Sequence, residues 1–151
     1  MKPTELERFL TDRLDEITAE VVGEIATRVP AYTHLRAGAV LDLVRAAVAG
    51  YLGARDRAAV LDSFRDLGAS EARAGHEIHH FERAVRTGAR VVVRRTASAA
   101  ARIYPPTTEY VTVMETAFTA EGEIVEAAVD GHCRAMRPDM DRRLRTLLTE
   151  N

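Results

Sequence analysis

Residues 67–95 decide the fold of this chain, and they read L-G-A-S-E-A-R-A-G-H-E-I-H-H-F-E-R-A-V-R-T-G-A-R-V-V-V-R-R. Gly75 divides them, because glycine readily takes the left-handed backbone conformation that ends a helix. After Gly75, apolar residues recur at steps of three and four, the spacing of one helix face. This face comprises Ile78, Phe81, Val85, Gly88, Ala89, Val92, Ala99 and Ile103. The pattern predicts that one helix ends near Gly75 and that a long helix runs from His76 to Tyr104, where Pro105-Pro106 stops it.

The same helical spacing covers the rest of the chain. The predicted helices, with approximate bounds, are 3–29, 35–52, 56–75, 76–104, 107–136 and 140–148. A capping box at Thr4–Glu7 opens the first helix and Pro30 ends it, so that it forms a rod of roughly 40 Å whose first turns project from the domain. Thr107 or Thr108 caps the fifth helix, and Arg137-Pro138-Asp139 separates it from the last. No segment alternates with period two, so the predicted fold class is all-α, with five or six helices.

Composition limits the function classes that fit this chain of 151 residues, whose net charge is -2 and whose pI is about 6.2. The length suits a single domain, predicted over residues 1–151. The nearly neutral charge does not favour direct binding to nucleic acid or to a membrane. Apolar runs such as Val91-Val92-Val93 are too short to cross a bilayer, and no signal peptide follows Met1-Lys2. With Cys133 as the single cysteine, no internal disulfide can form, and a cytoplasmic protein is predicted.

The segment His76-Glu77-Ile78-His79-His80 matches H-E-x-x-H, the short motif of zinc peptidases. On a helix, His76 and His80 stand one turn apart and can share a zinc ion, while Glu77 polarises the attacking water. A zinc-dependent hydrolase at these residues is therefore the alternative function from a different class. A weaker version of the site uses His76, His79 and His80 as adventitious ligands for zinc or nickel.

The zinc site lacks a third ligand nearby. Arg83 and Arg86 occupy the positions of the glycine and of the third histidine in the extended motif H-E-x-x-H-x-x-G-x-x-H. Positive charge opposes a bound dication, and so short a pattern often arises by chance. The preferred interpretation is a surface cluster of histidines, with no metal and no other cofactor.

Four arginines recur at steps of three and four on the same predicted helix, namely Arg83, Arg86, Arg90 and Arg94. Their planar guanidinium groups suit phosphate or carboxylate partners. The simpler interpretation is an exposed face that pairs with glutamates of the fifth helix. These glutamates are Glu115, Glu121, Glu123 and Glu126. The second interpretation is a surface for an acidic ligand or partner.

A spaced pattern in the centre of the chain points to a family. It consists of Gly68, Glu71-Ala72-Arg73, Gly75, Ile78 and residues 83–90, and it follows a helix that ends in Pro30-Ala31-Tyr32. Over about residues 20–104, this pattern resembles the N-terminal helical domain of actinobacterial PucR/CdaR-type transcriptional regulators. That domain is related to the N-terminal module of RsbR-type stress-response co-antagonists.

The resemblance implies an all-helical domain, globin-like or a bundle, that serves sensing, dimerisation and signal relay. It implies a non-enzymatic role in transcriptional control, as a homodimer, with a partner protein, or with a small molecule bound between helices. A haem-binding or other ligand-binding globin-like sensor is a further alternative, although His79 and His80 lie beside the apolar face and His132 at a helix edge. The chain departs from the family where Val85 replaces a frequent aromatic. The helix-turn-helix of the full regulators is also missing, so the expectation is a sensor domain without a DNA-binding domain.

Overall fold

The computed structural model describes residues 4–53, 56–105 and 108–149, and within the last range it leaves out the side chains of residues 138–141. All regular structure in these ranges is helical, which confirms the all-α prediction. The helices are α1 Glu5–Thr11, α2 Leu14–Arg28, a single 3₁₀ turn Pro30–Tyr32, α3 Ala37–Leu52, α4 Arg57–Arg73, α5 Ile78–Ile103 and α6 Thr108–Thr149. The predicted cap at Thr107 and the stop at Pro106 lie outside the described residues.

The N-terminal segment differs from its prediction, because the continuous helix 3–29 is broken between α1 and α2. The Thr4 hydroxyl caps α1 by accepting the Glu7 amide at 3.0 Å. Arg13 leaves helical geometry, and its guanidinium donates to the Phe9 carbonyl at 3.0 Å and stacks over the Phe9 ring. The bend turns α1 onto α3 and α5, where Leu6 is 1% exposed. The prediction that the first turns project is therefore wrong, since burial of the apolar face outweighs one interrupted turn.

The C-terminal segment also differs, because α6 continues from Thr108 to Thr149 without a break. The predicted end at Met136, the break at 137–139 and the separate helix 140–148 are wrong. Proline removes one backbone hydrogen bond from a helix interior. The lost bond would have used the carbonyl one turn earlier, at Arg134, a residue that is exposed.

The central helix α5 packs against α1, α2 and α6, and α4 packs along α6. Gly75 has a φ of 84°, which confirms the predicted left-handed helix end. The following helix begins two residues later than predicted, at Ile78, with Glu77 as its N-cap residue. In the ranges given above, none of the helices combines the length and the apolar composition needed to cross a membrane.

Two glycines bring α4 and α6 together. A Cβ atom at Gly68 would overlap the Ala128 carbonyl, and one at Gly131 would overlap the backbone of Arg65. The two helices therefore touch backbone to backbone, and no other residue type fits at these positions without moving them apart.

Candidate functional site

An apolar cavity of about 540 Å³ lies between α3 and α5. The backbones of these two helices hardly approach each other, and α2, α4 and α6 close the remaining sides. Large apolar side chains form much of its wall, among them Val21, Ile25, Val44, Val48, Phe81 and Val92. The volume is within the range of about 300–1,000 Å³ that small-molecule sites occupy in proteins.

Small residues on the two facing helices leave this space open. Ala39 and Ala47 of α3 face the cavity from one side, and Gly88 and Ala89 of α5 face it from the other. At Gly88, the α2 side chains Val21 and Ile25 come so close that an added Cβ would lie 3.3 Å from the first and 3.4 Å from the second. As a result α2 packs tightly on α5, whereas α3 stands away from it.

The cavity wall has a polar group of three side chains, Tyr32, Glu71 and His76. The His76 Nδ1 atom lies 3.0 Å from a Glu71 carboxylate oxygen, and the His76 ring meets the Tyr32 ring edge-on with 5.3 Å between centroids. Tyr32 is 6% exposed, and its hydroxyl has no hydrogen-bond partner among the described residues. Burial, together with the nearby Glu71 carboxylate, raises the pKa of Tyr32 above its ordinary value of 10.0, so the hydroxyl keeps its proton.

Local sequence explains why Tyr32 points inward. Val29 is extended, with a φ of -128°, and Pro30 then opens the 3₁₀ turn that Tyr32 ends. The Tyr32 amide donates to the Val29 carbonyl at 2.9 Å. The turn reverses the chain between α2 and α3 and places the ring between the end of α2 and the turn after α4.

His132 of α6, considered in the sequence only as a possible haem ligand, contacts this polar group without lining the cavity. It is 4% exposed, its ring stacks on Phe81 with 5.7 Å between centroids, and its Nε2 atom lies 2.7 Å from the His76 carbonyl oxygen. The predicted position at a helix edge is therefore wrong. The signal was present, because His132 extends the step of four that joins the buried residues Ile124 and Ala128.

The histidine motif is not assembled as a zinc site. His76 lies in the turn before α5, so it does not share a helix face with His80. His80 is exposed and lies 3.8 Å from a Glu77 carboxylate oxygen, and His79 is exposed as well. In the three described ranges, no group of three histidine, cysteine or acidic side chains is placed to bind a metal ion.

Four arginines on α5, here called the basic stripe, have different surroundings: Arg83, Arg86, Arg90 and Arg94. Arg83 donates to the Arg28 carbonyl at 3.1 Å, Arg86 pairs with Glu82 of its own helix at 3.0 Å, and Arg90 pairs with Glu121 of α6 at 3.1 Å. Arg94 is exposed. Of the glutamates predicted to pair with the stripe, Glu121 does so, whereas Glu123 instead accepts a hydrogen bond from Tyr51 and lies 3.8 Å from Arg57. The stripe borders a shallow cleft of about 280 Å³.

Comparison with known families gives one match, in which the model of the PucR-like N-terminal domain covers residues 1–149. The chain belongs to this family. The match confirms the resemblance seen in the sequence and extends it from residues 20–104 to nearly the whole chain. No curated protein and no solved structure matches the chain.

Membership in the PucR-like N-terminal domain family makes this chain a regulatory module of the kind found in transcription regulators. In this PucR-like domain, the cavity between α3 and α5 has the dimensions of a binding site. The polar group Tyr32, Glu71 and His76 is the part of its wall that can recognise more than shape.

Proposed function

We propose that this domain is a non-enzymatic sensor that binds a small apolar molecule in the cavity between α3 and α5. The observation that supports the proposal is the cavity itself, a space of about 540 Å³ with an apolar wall inside a single bundle. Burial of apolar surface contributes roughly 25 cal/mol per Å², so a molecule that filled the space would bind by the hydrophobic effect.

Binding in this place would change how the helices pack. A bound molecule would join α3 to α5, two helices that hardly touch. Any molecule that binds one helix arrangement better than another shifts the balance between them. The arrangement in which α3 sits at the right distance for the ligand would therefore become more populated.

The turn before α5 connects the cavity to α6, so a change in the cavity would reach α6 through this turn. Glu71 contacts His76 at 3.0 Å, and the His76 carbonyl contacts His132 of α6 at 2.7 Å. A ligand that moved Glu71 or His76 would therefore act on α6. We propose α6 as the element through which the sensor reports to the rest of a regulator.

The test uses the neutral fluorescent dye N-phenylnaphthylamine as an apolar probe. Ala47 and Ala89 face the cavity, so Ala47→Phe and Ala89→Phe fill it from opposite sides. We expect each variant to weaken dye binding about tenfold or more, because an occupied cavity excludes the ring system. Ala101→Phe is the matched control, since Ala101 is exposed on α5 and away from the cavity.

Equal dye binding in the wild type and in both filled variants would contradict the proposal. Thermal melting of each variant checks that it folds. If Ala47→Phe alone fails to fold, Ala89→Phe still decides the question, because the two substitutions lie on different helices.

A second proposal concerns association, and it has its own observation. Leu144, Leu147 and Leu148 at the end of α6 are 55%, 69% and 79% exposed. Steps of three and four place them on one side of the helix, the arrangement in which two identical helices can bury leucines against each other. We propose that two copies of the chain pair here as a homodimer.

Native mass spectrometry tests the pairing. Leu147→Glu should convert the dimer to a monomer, whereas Thr146→Glu, at the neighbouring exposed position, should leave it dimeric. A wild-type chain that is monomeric at all concentrations would overturn this second proposal without touching the first.

The remaining expectations stay predictions. They are a cytoplasmic location, a single domain over residues 1–151, and the absence of direct binding to nucleic acid. A haem sensor also stays a prediction, since the buried His132 contacts the His76 carbonyl and the Phe81 ring instead of lining the cavity, whereas His34 and His76 do line it.

A further inference from the structure

We infer that the cavity selects a neutral ligand, largely apolar, whose one hydroxyl or amide group pairs with Tyr32 and Glu71. This inference rests on the proposed function, since it names the chemical class of the ligand that the sensor would bind.

The Tyr32 hydroxyl supplies the first requirement. It belongs to a side chain that is 6% exposed and lines the cavity, and no described group forms a hydrogen bond of good geometry with it, although the Glu71 carboxylate lies close by. Buried polar groups are almost always hydrogen-bonded, because an unpaired one costs free energy. A ligand atom that accepts a hydrogen bond from this hydroxyl would remove the free-energy cost of leaving it unpaired. A ligand with such an acceptor should therefore bind more tightly than one without.

Glu71 supplies the second requirement. Its side chain is 18% exposed, and one of its oxygens is 3.0 Å from His76 Nδ1. A carboxylate has acceptor sites for several donors, so Glu71 can also accept from a ligand. The complete complement to Tyr32 and Glu71 is a group that both accepts and donates, which is a hydroxyl or an amide.

The largely apolar cavity disfavours charged head groups, because they lose their hydration on entering it. A carboxylate ligand would place a second negative charge beside Glu71 in a partly buried site, and like charges repel strongly there. An ammonium group would lose its hydration in this apolar cavity, and the Glu71 carboxylate, which already contacts His76, offsets only part of that cost. Arg36 and His34 also line the cavity, but both are exposed, and solvent weakens their attraction for an anion.

Competition between three ten-carbon probes tests the inference. Decanol, decanoate and decylammonium share one apolar chain and differ only in the head group. Each is titrated at pH 8 against bound N-phenylnaphthylamine. We expect decanol to displace the dye at a concentration about tenfold lower than either charged probe.

Two tyrosine variants identify the contact. Tyr32→Phe removes the unpaired hydroxyl and should weaken decanol binding about fivefold to tenfold, more than it weakens dye binding. Tyr51→Phe is the comparison in the same cavity, because the Tyr51 hydroxyl already donates to Glu123 at 3.1 Å. It should weaken decanol binding less than Tyr32→Phe does.

The outcomes separate the two levels of the proposal. If the dye fails to bind, or if the cavity-filling variants do not exclude it, the proposed sensor function fails. If the dye binds as expected but decanoate or decylammonium binds best, only the inference about the head group is overturned. An equal loss of decanol binding in Tyr32→Phe and Tyr51→Phe also overturns it.

Discussion

The Nε2 atom of His132 lies 2.7 Å from the carbonyl oxygen of His76, so a buried side chain of α6 binds the backbone of the turn between α4 and α5. Because the carbonyl can only accept, Nε2 carries the proton and donates it. The bond joins two residues that are 56 positions apart in the sequence. It connects the polar group of the cavity to the longest helix of the domain.

Loss of this bond should cost stability. His132→Phe keeps a ring that can stack on Phe81 but removes the donor, which leaves the His76 carbonyl unpaired. We expect a loss of about 1–2 kcal/mol in the free energy of unfolding, measured by urea denaturation. His79→Ala, at an exposed position of the same histidine-rich segment, should change it by less than about 0.5 kcal/mol. Equal effects of the two variants would show that the hydrogen bond from His132 to the His76 carbonyl adds no stability.

The two buried tyrosines should respond to phenylalanine in opposite directions. Tyr32→Phe removes a hydroxyl without a partner, so we expect the ligand-free domain to keep its stability or gain up to about 1 kcal/mol. Tyr51→Phe breaks the 3.1 Å hydrogen bond to Glu123, so a loss of about 1 kcal/mol is expected. Thermal and urea denaturation measure both, and a clear loss in Tyr32→Phe would mean that its hydroxyl has a partner in solution.

Alkaline pH should destabilise the domain through the same tyrosines. Burial raises the pKa of Tyr32 and of Tyr51 above the ordinary value of 10.0, with Glu71 and Glu123 adding to the effect. A raised pKa favours the protonated folded state, so this contribution is complete below pH 10 and is lost as the pH rises further. Each tyrosine should then reduce the free energy of unfolding by up to about 1.4 kcal/mol per pH unit.

Urea denaturation between pH 9 and pH 11 measures that slope. Tyr32→Phe should make the slope shallower, because one of the two tyrosines no longer titrates. Tyr104→Phe is the control, since Tyr104 is only partly buried. A slope that is the same in all three proteins would show that Tyr32 ionises freely in the folded state.

Two glycine-to-alanine substitutions, one at the crossing of α4 and α6 and one on α2 as a comparison, should have opposite effects on stability. Gly68→Ala puts a Cβ atom into the Ala128 carbonyl, and we expect a loss of about 2 kcal/mol or more as the helices move apart. Gly23→Ala adds a Cβ with no neighbour within 4 Å and should gain about 0.5–1 kcal/mol from helix propensity. Thermal denaturation of both proteins checks the signs, and a neutral Gly68→Ala would show that the crossing is loose.

Much of this fold can be predicted from the spacing of apolar residues. The stripe from Ile78 to Ile103 predicted α5 to within two residues, and Gly75 was recognised as a helix end. The errors arose where tertiary contacts overrule local signals. Burial of Leu6 and Leu10 bends the chain at Arg13, where no glycine or proline marks a break. Pro138, a strong local signal, does not interrupt α6.

The candidate site was less predictable than the fold. A cavity depends on the distance between α3 and α5, and no local pattern in Ala39, Ala47 or Ala89 reports a distance. In the sequence, Tyr32 was recognised only as part of a turn. That its hydroxyl lacks a hydrogen-bond partner can be seen only in the three-dimensional structure. The histidine motif does contain a residue of the site, but its role there is not metal binding. His76 contributes a carbonyl and a ring edge.

The contacts of Gly68 and Gly131 with the facing backbones also hold α6 against α4 at one point, and any tilt of α6 would pivot about this point. From Gly131, the helix runs about 21 Å back to the cavity wall at Ala117 and about 27 Å forward to Thr149. A tilt of about 5° around this point would move the cavity end and the leucine-bearing end by about 2 Å each, in opposite directions. The helix would then act as a lever whose far arm is the longer one, so a small displacement at the cavity would reach the far end slightly enlarged.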